Sequence, residues 1–146
     1  MNESLTWDDL VSQVELVDLR ICSCLGILAE VYDGEPLPED WQPEFDIMTK
    51  ADGSLHRVRA RLAFTGPGGK LVSDGMGVFS FGCDTTEVSD ELLERFTTMV
   101  AVPAIIPFVR ASLGDLNDRM QLDAPRLGLM KIEPHGELDD TSSDLL

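Results

Sequence analysis

The first half of the chain has the hydrophobic period of β-strands. Four segments are predicted strands, and two of them, the first and the third, place apolar residues at every second position, which is typical of strands with one buried face. The four segments are residues 13–31, 44–50, 55–65 and 70–82. In the third segment, an apolar face from Val58 to Phe64 lies opposite a face with Arg57, Arg59 and Arg61. We therefore predict four strands, of which the third shows the alternation most completely.

The first predicted strand has most of its apolar residues on one parity. These residues are Val17, Leu19, Ile21, Leu25 and Ile27. Side chains of one parity point to the same side of a regular strand. We therefore expect these five side chains to share its buried face.

The second half of the chain has a helical period. Ser89 is a predicted N-cap, because its hydroxyl can accept a hydrogen bond from the first turn. Pro103 and Pro107 are expected to interrupt the helical run, so a second helix is predicted from about Pro107 to Met120. Four strands followed by helices predict an α+β fold, in which a four-stranded antiparallel sheet has a long helix packed on one face.

The length of 146 residues suits one domain with a single hydrophobic core. We divide the chain into an N-terminal arm at residues 1–12, a domain at 13–132 and an acidic tail at 133–146. The arm is polar apart from a few large residues, and we expect it to be frayed or to form one short helical turn. The tail contains five acidic residues and no Lys or Arg, so we expect it to be solvated and flexible.

The formal charge of -16 comes from 27 acidic and 11 basic residues. Such a surface repels phosphate backbones and anionic lipid, so we expect neither nucleic acid nor membrane as a partner. It favours basic partners, and a purely solubilising surface is the alternative. The acidic start lacks the features of a secretory signal, and no segment reaches the roughly 20 apolar residues of a membrane span. With three cysteines, these features favour the cytoplasm.

The candidate chemistry in the sequence is sparse. His56 and His135 have no Cys or carboxylate nearby at ligand spacing, and we expect both to lie at the surface. Cys22 and Cys24 are expected on one strand face as small apolar residues, because a zinc site would need two more ligands. The chain also lacks a phosphate loop and a G-x-S-x-G motif. The sequence therefore predicts no catalytic residue, metal ligand or cofactor, and a binding protein rather than an enzyme.

Three segments resemble the SecB family of export chaperones. They are residues 40–45 (DWQPEF), 77–81 (GVFSF) and 105–110 (IIPFVR), the last of which is followed by Asp115-Leu116 and Arg119-Met120. The resemblance covers about residues 13–132, and the order of the segments agrees with the predicted strands and helix. The sequence departs from the family at Ala111, where SecB proteins often have glutamate. Pro134 and Gly136 argue against a second C-terminal helix.

The resemblance implies an ATP-independent holdase chaperone. Such a protein binds unfolded or precursor polypeptides in a hydrophobic groove, delivers them to the export machinery and forms a homotetramer built as a dimer of dimers. The implied peptide-binding residues are Trp41, Phe45, Met76, Val78, Phe79 and Phe81. The implied oligomer interface consists of Pro107, Phe108, Arg110, Leu113 and Leu116. The implied docking residues for the translocase motor SecA are Glu137, Asp139, Asp140 and Asp144 in the tail.

Three other functions are compatible with the sequence. A SecB-like chaperone can serve a toxin–antitoxin system, in which case an antitoxin replaces SecA as the partner. A small α+β ligand-binding or enzymatic domain would use the cavity between sheet and helix. A structural adaptor would use the acidic tail to recruit a basic partner.

Overall fold

The protein folds as one four-stranded antiparallel sheet with a long helical run on one face, which confirms the predicted α+β fold. A computed structural model describes residues 5–125. The helices and strands are α1 (Trp7–Gln13), β1 (Glu15–Leu28), β2 (Gln42–Asp52), β3 (Leu55–Gly66), β4 (Gly69–Ser80), α2 (Asp90–Phe96) and α3 (Val102–Met120). A π-helical turn, Thr97–Ala101, joins α2 to α3. The strand order is β1-β4-β3-β2, so β1 and β2 form the two edges.

The central strand β3 places its apolar face against the helices, as its alternation predicts. Val58, Ala60 and Leu62 have no exposed surface and Phe64 is 4% exposed. We call the side of the sheet that α3 covers the helix face and the opposite side the outer face. In this arrangement, the helix face of the sheet forms one wall of the hydrophobic core.

The outer face has an ion pair at its centre. Arg59 Nε donates to the two carboxylate oxygens of Asp74 at 2.8 and 2.7 Å, and the contact raises the pKa of Arg59. Asp74 is only 2% exposed, although it lies on the side without a helix. No second layer of helices or strands packs on this face among the described residues. Neighbouring long side chains of the sheet therefore cover Asp74.

Strand β1 differs from its predicted pattern because it is irregular at two points. Its register against β4 shifts between Leu16 and Asp18 and again between Ile21 and Ser23. Each extra residue reverses the side-chain alternation that follows it. Ile21 therefore pairs with Gly75 on the helix face, whereas Leu25 pairs with Val72 on the outer face. The expectation that the five apolar residues of one parity share a buried face is wrong.

The second bulge also separates the two cysteines. Cys24 lies on the helix face, where it accepts a hydrogen bond of 3.1 Å from the hydroxyl of Ser112 in α3. Cys22 lies close enough to Arg59, on the outer face, to contribute to its raised pKa. The expectation that Cys22 and Cys24 share one strand face is therefore wrong.

The helical run does not break where the prolines predicted an interruption. Pro103 is near the start of α3, where the missing N–H is tolerated, but Pro107 lies inside the helix. Pro107 removes one backbone hydrogen bond, yet the flanking Ile105, Ile106 and Val109 are at most 4% exposed. Burial of these side chains against the sheet stabilises the helix despite the proline.

The run Asp90–Met120 is long and apolar enough to cross a membrane by length and composition alone. The expectation that no such stretch exists is therefore corrected. Half of its most apolar window is buried inside the protein, which is typical of a helix that packs on a core.

Of the two alternatives for the N-terminal arm, the described residues 5–13 contain the short helix and are not frayed. Thr6 and Asp9 form a reciprocal capping box at the start of α1. Leu10 is completely buried, and the guanidinium of Arg95 lies 4.3 Å from the centre of the Trp7 ring. These contacts hold α1 against α2.

Candidate functional site

Edge strand β2 has an apolar row on the helix face that the helices cover only in part. Pro43, Phe45 and Ile47 point to this face and are half-buried, whereas Glu44 and Asp46 alternate with them and are exposed. Helix α3 packs over β4, β1 and β3. The sheet is therefore wider than its helical layer, and the row on β2 faces a concave surface open to solvent.

Two cavities lie between the sheet and the helices. Residues of β2 line the second, whereas the first adjoins the row on β2 through Phe64, the cross-strand partner of Pro43. The first has a volume of about 290 Å³, with Phe64 and Leu71 from the sheet and Pro107, Ala111 and Gly114 among its α3 residues. The small side chains of Ala111 and Gly114 leave this helix wall open. A Cβ added at Gly114 would meet no atom within 4 Å.

The second cavity lies towards the other end of β2. It has a volume of about 390 Å³, and Ile47, Thr49 and Ala51 form its wall on β2. Leu93 and Thr97 are among the residues that form its helix wall. We call the surface that contains both cavities and the row Pro43, Phe45, Ile47, Thr49 and Ala51 the β2 groove.

Trp41 closes the end of the β2 groove nearest the first cavity. Its indole ring packs on Gly66, where an added Cβ would lie 2.3 Å from a ring carbon. The ring also lies over Gly68 in the turn between β3 and β4. From Trp41 to Ala51 an extended backbone spans about 33 Å, which is room for a segment of about ten residues.

His56 forms the floor of the second cavity and is 3% exposed, so the expectation of a surface histidine is wrong. Its Nε2 lies 3.0 Å from the hydroxyl of Thr97. The ring packs beside Phe81 and Phe96, with centroid distances of 5.4 and 6.1 Å. Burial lowers the pKa of His56, which favours the neutral imidazole.

The six predicted peptide-binding residues lie in three different places. Trp41 and Phe45 belong to the β2 groove and are half-buried. Met76 and Val78 point to the outer face, where they pair with Arg59 and Arg57 of β3. Phe79 and Phe81 are 2% and 0% exposed.

The burial of these two phenylalanines corrects their expected place in an open groove. The ring of Phe96 in α2 lies 5.1 Å from Phe79 and 5.0 Å from Phe81, in edge-to-face contact. Val78 and Phe79 are neighbours in a strand, so their side chains point to opposite faces of the sheet and cannot line one groove.

The residues predicted for an oligomer interface are also divided. Phe108 is 54% exposed on the surface of α3, whereas Leu113 is 4% exposed and belongs to the core. Leu116 is half-buried, and its side chain lies close to Gly26 of β1. Pro107 and Arg110 line the first cavity of the β2 groove. The four predicted docking residues of the tail, Glu137, Asp139, Asp140 and Asp144, lie outside the described residues.

The floor of the β2 groove is apolar and its walls contain charged side chains. Within residues 5–125, no three His, Cys, Asp or Glu side chains come together as metal ligands. Acidic side chains stand at the walls of the groove, with Asp118 at the first cavity and Asp90 and Glu94 at the second. The first cavity also has Arg110 in its wall, so the rim is mixed in charge there and acidic at the second cavity.

Sequence reasoning named Trp41 and Phe45 but missed Pro43, Ile47, Ala111 and Gly114, although a signal was present. Pro43, Phe45 and Ile47 alternate with acidic residues, which predicts a strand with one apolar face. On α3, Ala111 and Gly114 recur at helical spacing as small residues. The alternation could have identified the row on β2, but the partial cover by α3 is a tertiary feature.

The comparisons with known proteins agree with the fold. SmegB, a SecB-like chaperone of Mycolicibacterium smegmatis, is 22% identical over 125 residues, which are 84% of this chain and 80% of that protein. The structure of a SecB-like chaperone of Mycobacterium tuberculosis, in complex with a ChAD peptide from the HigA1 antitoxin, has a TM-score of 0.67 and 17% identity. That match covers 86% of this chain and 96% of the other. No family model matches the chain.

The SecB-like resemblance inferred from three sequence segments is confirmed. The chain is similar in sequence to one SecB-like chaperone and has the fold of another.

Proposed function

We propose that this protein is an ATP-independent holdase chaperone that binds extended, non-native polypeptide in the β2 groove. The observation that supports this most directly is the half-buried row Pro43, Phe45 and Ile47 beside two open cavities. The similarity to two proteins described as SecB-like chaperones agrees with this role.

Holding a polypeptide in this groove requires no catalytic residue. Each apolar side chain of a client that leaves water on binding contributes about 1.5–3 kcal/mol if it becomes fully buried. The free backbone edge of β2 can add hydrogen bonds to an extended chain whatever its sequence. Such binding is broad in specificity and needs no nucleotide.

Two kinds of client are compatible with the groove. An antitoxin segment is supported by the fold neighbour from M. tuberculosis, whose structure contains an antitoxin peptide. A precursor polypeptide destined for export is implied by the resemblance to export chaperones. In either case we propose that the protein acts in the cytoplasm, on chains that have not yet folded or assembled.

We also propose that the protein assembles into a homotetramer, a dimer of dimers. The exposed apolar residues Leu16, Val17 and Leu25 on edge strand β1 are 49–59% exposed, and Phe108 on α3 is 54% exposed. Large apolar side chains of this exposure favour a covered interface. Sedimentation at micromolar concentration should show a mass near four times 16.1 kDa, and a single 16.1 kDa species would contradict the proposal.

The acidic tail residues Glu137, Asp139, Asp140 and Asp144 remain proposed docking residues for SecA or another basic partner. Deleting residues 136–146 should weaken recovery of that partner in a pull-down, and added salt should have the same effect. Equal recovery by the truncated and complete proteins would instead assign the tail to solubility alone.

The central test compares Phe45→Ser with Met48→Ser. Both residues lie on β2, but Phe45 faces the β2 groove and Met48, which is 45% exposed, faces outwards. Loss of about 1–2 kcal/mol of apolar contact predicts a client affinity about 5- to 30-fold weaker for Phe45→Ser. Met48→Ser should bind as the wild type does.

The assay is suppression of client aggregation at stoichiometric protein without nucleotide, together with a client affinity from fluorescence anisotropy. Far-UV circular dichroism should show that both variants are folded. The proposal fails if the wild-type protein suppresses no aggregation, or if folded Phe45→Ser binds clients as tightly as Met48→Ser.

A further inference from the structure

The outer face of the sheet has a row of basic side chains along β3. Arg57, Arg59 and Arg61 alternate with the buried apolar residues of this strand, so all three point outwards. Lys50 of edge strand β2 lies directly opposite Arg57 on the same face. Asp74 neutralises Arg59, and we call the remaining three residues, Lys50, Arg57 and Arg61, the basic patch.

The charges of the basic patch are not neutralised by contact in the described part of the chain. Within residues 5–125, none of its three side chains forms an ion pair or a hydrogen bond. Asp74 lies opposite Arg61 but gives both carboxylate oxygens to Arg59. Lys50 and Arg57 are like charges at directly opposite positions, which destabilises a sheet. The chain has 27 acidic residues, so three contact-free cations together indicate charges that are kept available for a ligand.

The spacing of the basic patch fits an extended acidic polypeptide. Arg57 and Arg61 are four residues apart on β3, which corresponds to about 13 Å. Carboxylates at positions i and i+4 of an extended segment have the same separation and point to the same side. A guanidinium group can bind each of them through two parallel N–H donors. A flat segment can lie along β3, because no helix or strand of residues 5–125 covers this face.

The flanks of the basic patch favour a short acidic segment over a nucleic acid. Asp46 and Asp52 lie on either side of Lys50 along the outer face of β2. On the other flank, Asp18 of β1 lies opposite Val78 of β4. These carboxylates confine the positive charge to a narrow strip, and a phosphate backbone that extends past the strip would meet them. The net charge of -16 adds to this repulsion.

We propose that the basic patch is a second binding site, which takes an extended acidic segment of a partner protein with carboxylates four residues apart. The site is on the face opposite the β2 groove, so it goes beyond the holding of apolar clients and does not depend on it. Ion pairs with exposed cations are individually weak and are screened by salt. Binding therefore requires both ends of the patch and decreases as salt is added.

The first experiment measures binding of a synthetic acidic peptide to the complete chain by fluorescence anisotropy at low salt. The peptide has glutamates at positions i and i+4 among Ser, Thr and Val, and a second peptide has them at i and i+3, on opposite sides of an extended chain. The wild type should prefer the first peptide, and Arg57→Gln should bind it about 2- to 5-fold more weakly.

Arg119→Gln is the matched control, because it removes one positive charge from an exposed position on α3. It should bind the first peptide as the wild type does. Equal binding of the two peptides by the wild type, or equal affinity of Arg57→Gln and Arg119→Gln for the first peptide, would overturn the inference.

The second experiment uses Lys50→Glu to separate a binding role from a structural one. The new carboxylate would lie opposite Arg57 as an opposite charge, so the equilibrium constant for unfolding in urea should fall about 1.5- to 5-fold. The same variant should lose binding of the first peptide. Retained peptide binding would overturn the inference, and a lower stability of Lys50→Glu would contradict the like-charge contact on which it rests.

Two further measurements distinguish other occupants of the basic patch. A short single-stranded oligonucleotide should not bind, and binding that Arg57→Gln abolishes would assign the patch to nucleic acid instead. Sedimentation of Lys50→Glu should show the mass of the wild type, and a reduced mass would assign the patch to a contact between copies of this chain. Phe45→Ser should bind the first peptide as the wild type does, so a failure of the β2 groove as a client site would leave this inference standing.

Discussion

Protonation of His56 should destabilise the fold as the pH falls below 6.5. The Thr97 hydroxyl donates to the carbonyl of Leu93 at 2.9 Å, so its oxygen must accept from His56 Nε2 at 3.0 Å. The proton of the neutral ring is thus on Nε2, and Nδ1 is buried with no hydrogen-bond partner among the described residues. A second proton on Nδ1 would place an unpaired N–H and a positive charge beside Phe81 and Phe96.

The sign and size of the effect follow from the lowered pKa. Burial moves the pKa of His56 in the folded protein below its ordinary value of 6.5. As the pH falls below 6.5, the unfolded chain binds a proton that the folded chain does not, so the free energy of unfolding decreases. The decrease is about 1.4 kcal/mol for each pH unit until the folded pKa is reached. Above pH 6.5 the contribution is fully present.

The assay is urea unfolding at pH 7.5 and 5.5 of the wild type, His56→Gln and His135→Gln. Gln at position 56 can still donate to Thr97 but does not titrate, and His135 is the other histidine of the chain. Asp90 and Glu94 line the same cavity and are present in all three proteins, so the comparison isolates His56. Wild type and His135→Gln should lose the same free energy on acidification, and His56→Gln should lose less, by at most about 1.4 kcal/mol. An equal loss in all three proteins would refute the assignment of the tautomer and its burial.

Three further perturbations test the groove, the outer face and the assembly. Gly66→Ala should displace the indole of Trp41, because the new Cβ would lie 2.3 Å from a ring carbon. Client affinity in anisotropy measurements should then be weaker, and an unchanged affinity would remove Trp41 from the binding surface. Asp74→Asn should weaken the hydrogen bonds from Arg59 and lower the free energy of unfolding in urea by about 1–3 kcal/mol. Substitutions at surface sites usually change this free energy by no more than about 0.5 kcal/mol, so a change of that size would argue against a stabilising pair. Phe108→Asp should reduce the mass in sedimentation, and an unchanged mass would place Phe108 outside the interface.

Several features of this protein follow from local sequence alone. The alternation from Val58 to Phe64 identified the buried face of β3 because side-chain direction in a strand depends only on position. Ser89 identified the start of α2 because its hydroxyl bonds to the amide of Leu92, three residues away. The similarity to SecB-like chaperones was also recognisable, since it rests on short segments in a fixed order.

Other features depend on contacts between distant parts of the chain. The helix continues through Pro107 because the sheet buries its flanking side chains, and His56 is buried because α2 and the π-helical turn lie over it. The bulges of β1 reverse its alternation through pairing with β4, which no local pattern in β1 reveals.

The β2 groove is the clearest case of a site that only tertiary structure decides. The apolar row from Pro43 to Ile47 is visible in the sequence, but a row of this kind is equally compatible with a fully buried strand. It becomes a partly open apolar surface because β2 is the edge of the sheet and α3 packs over β1, β3 and β4. Alternation determines which way a side chain points, whereas its exposure depends on whether another element lies opposite, and that is set by the packing of the whole chain.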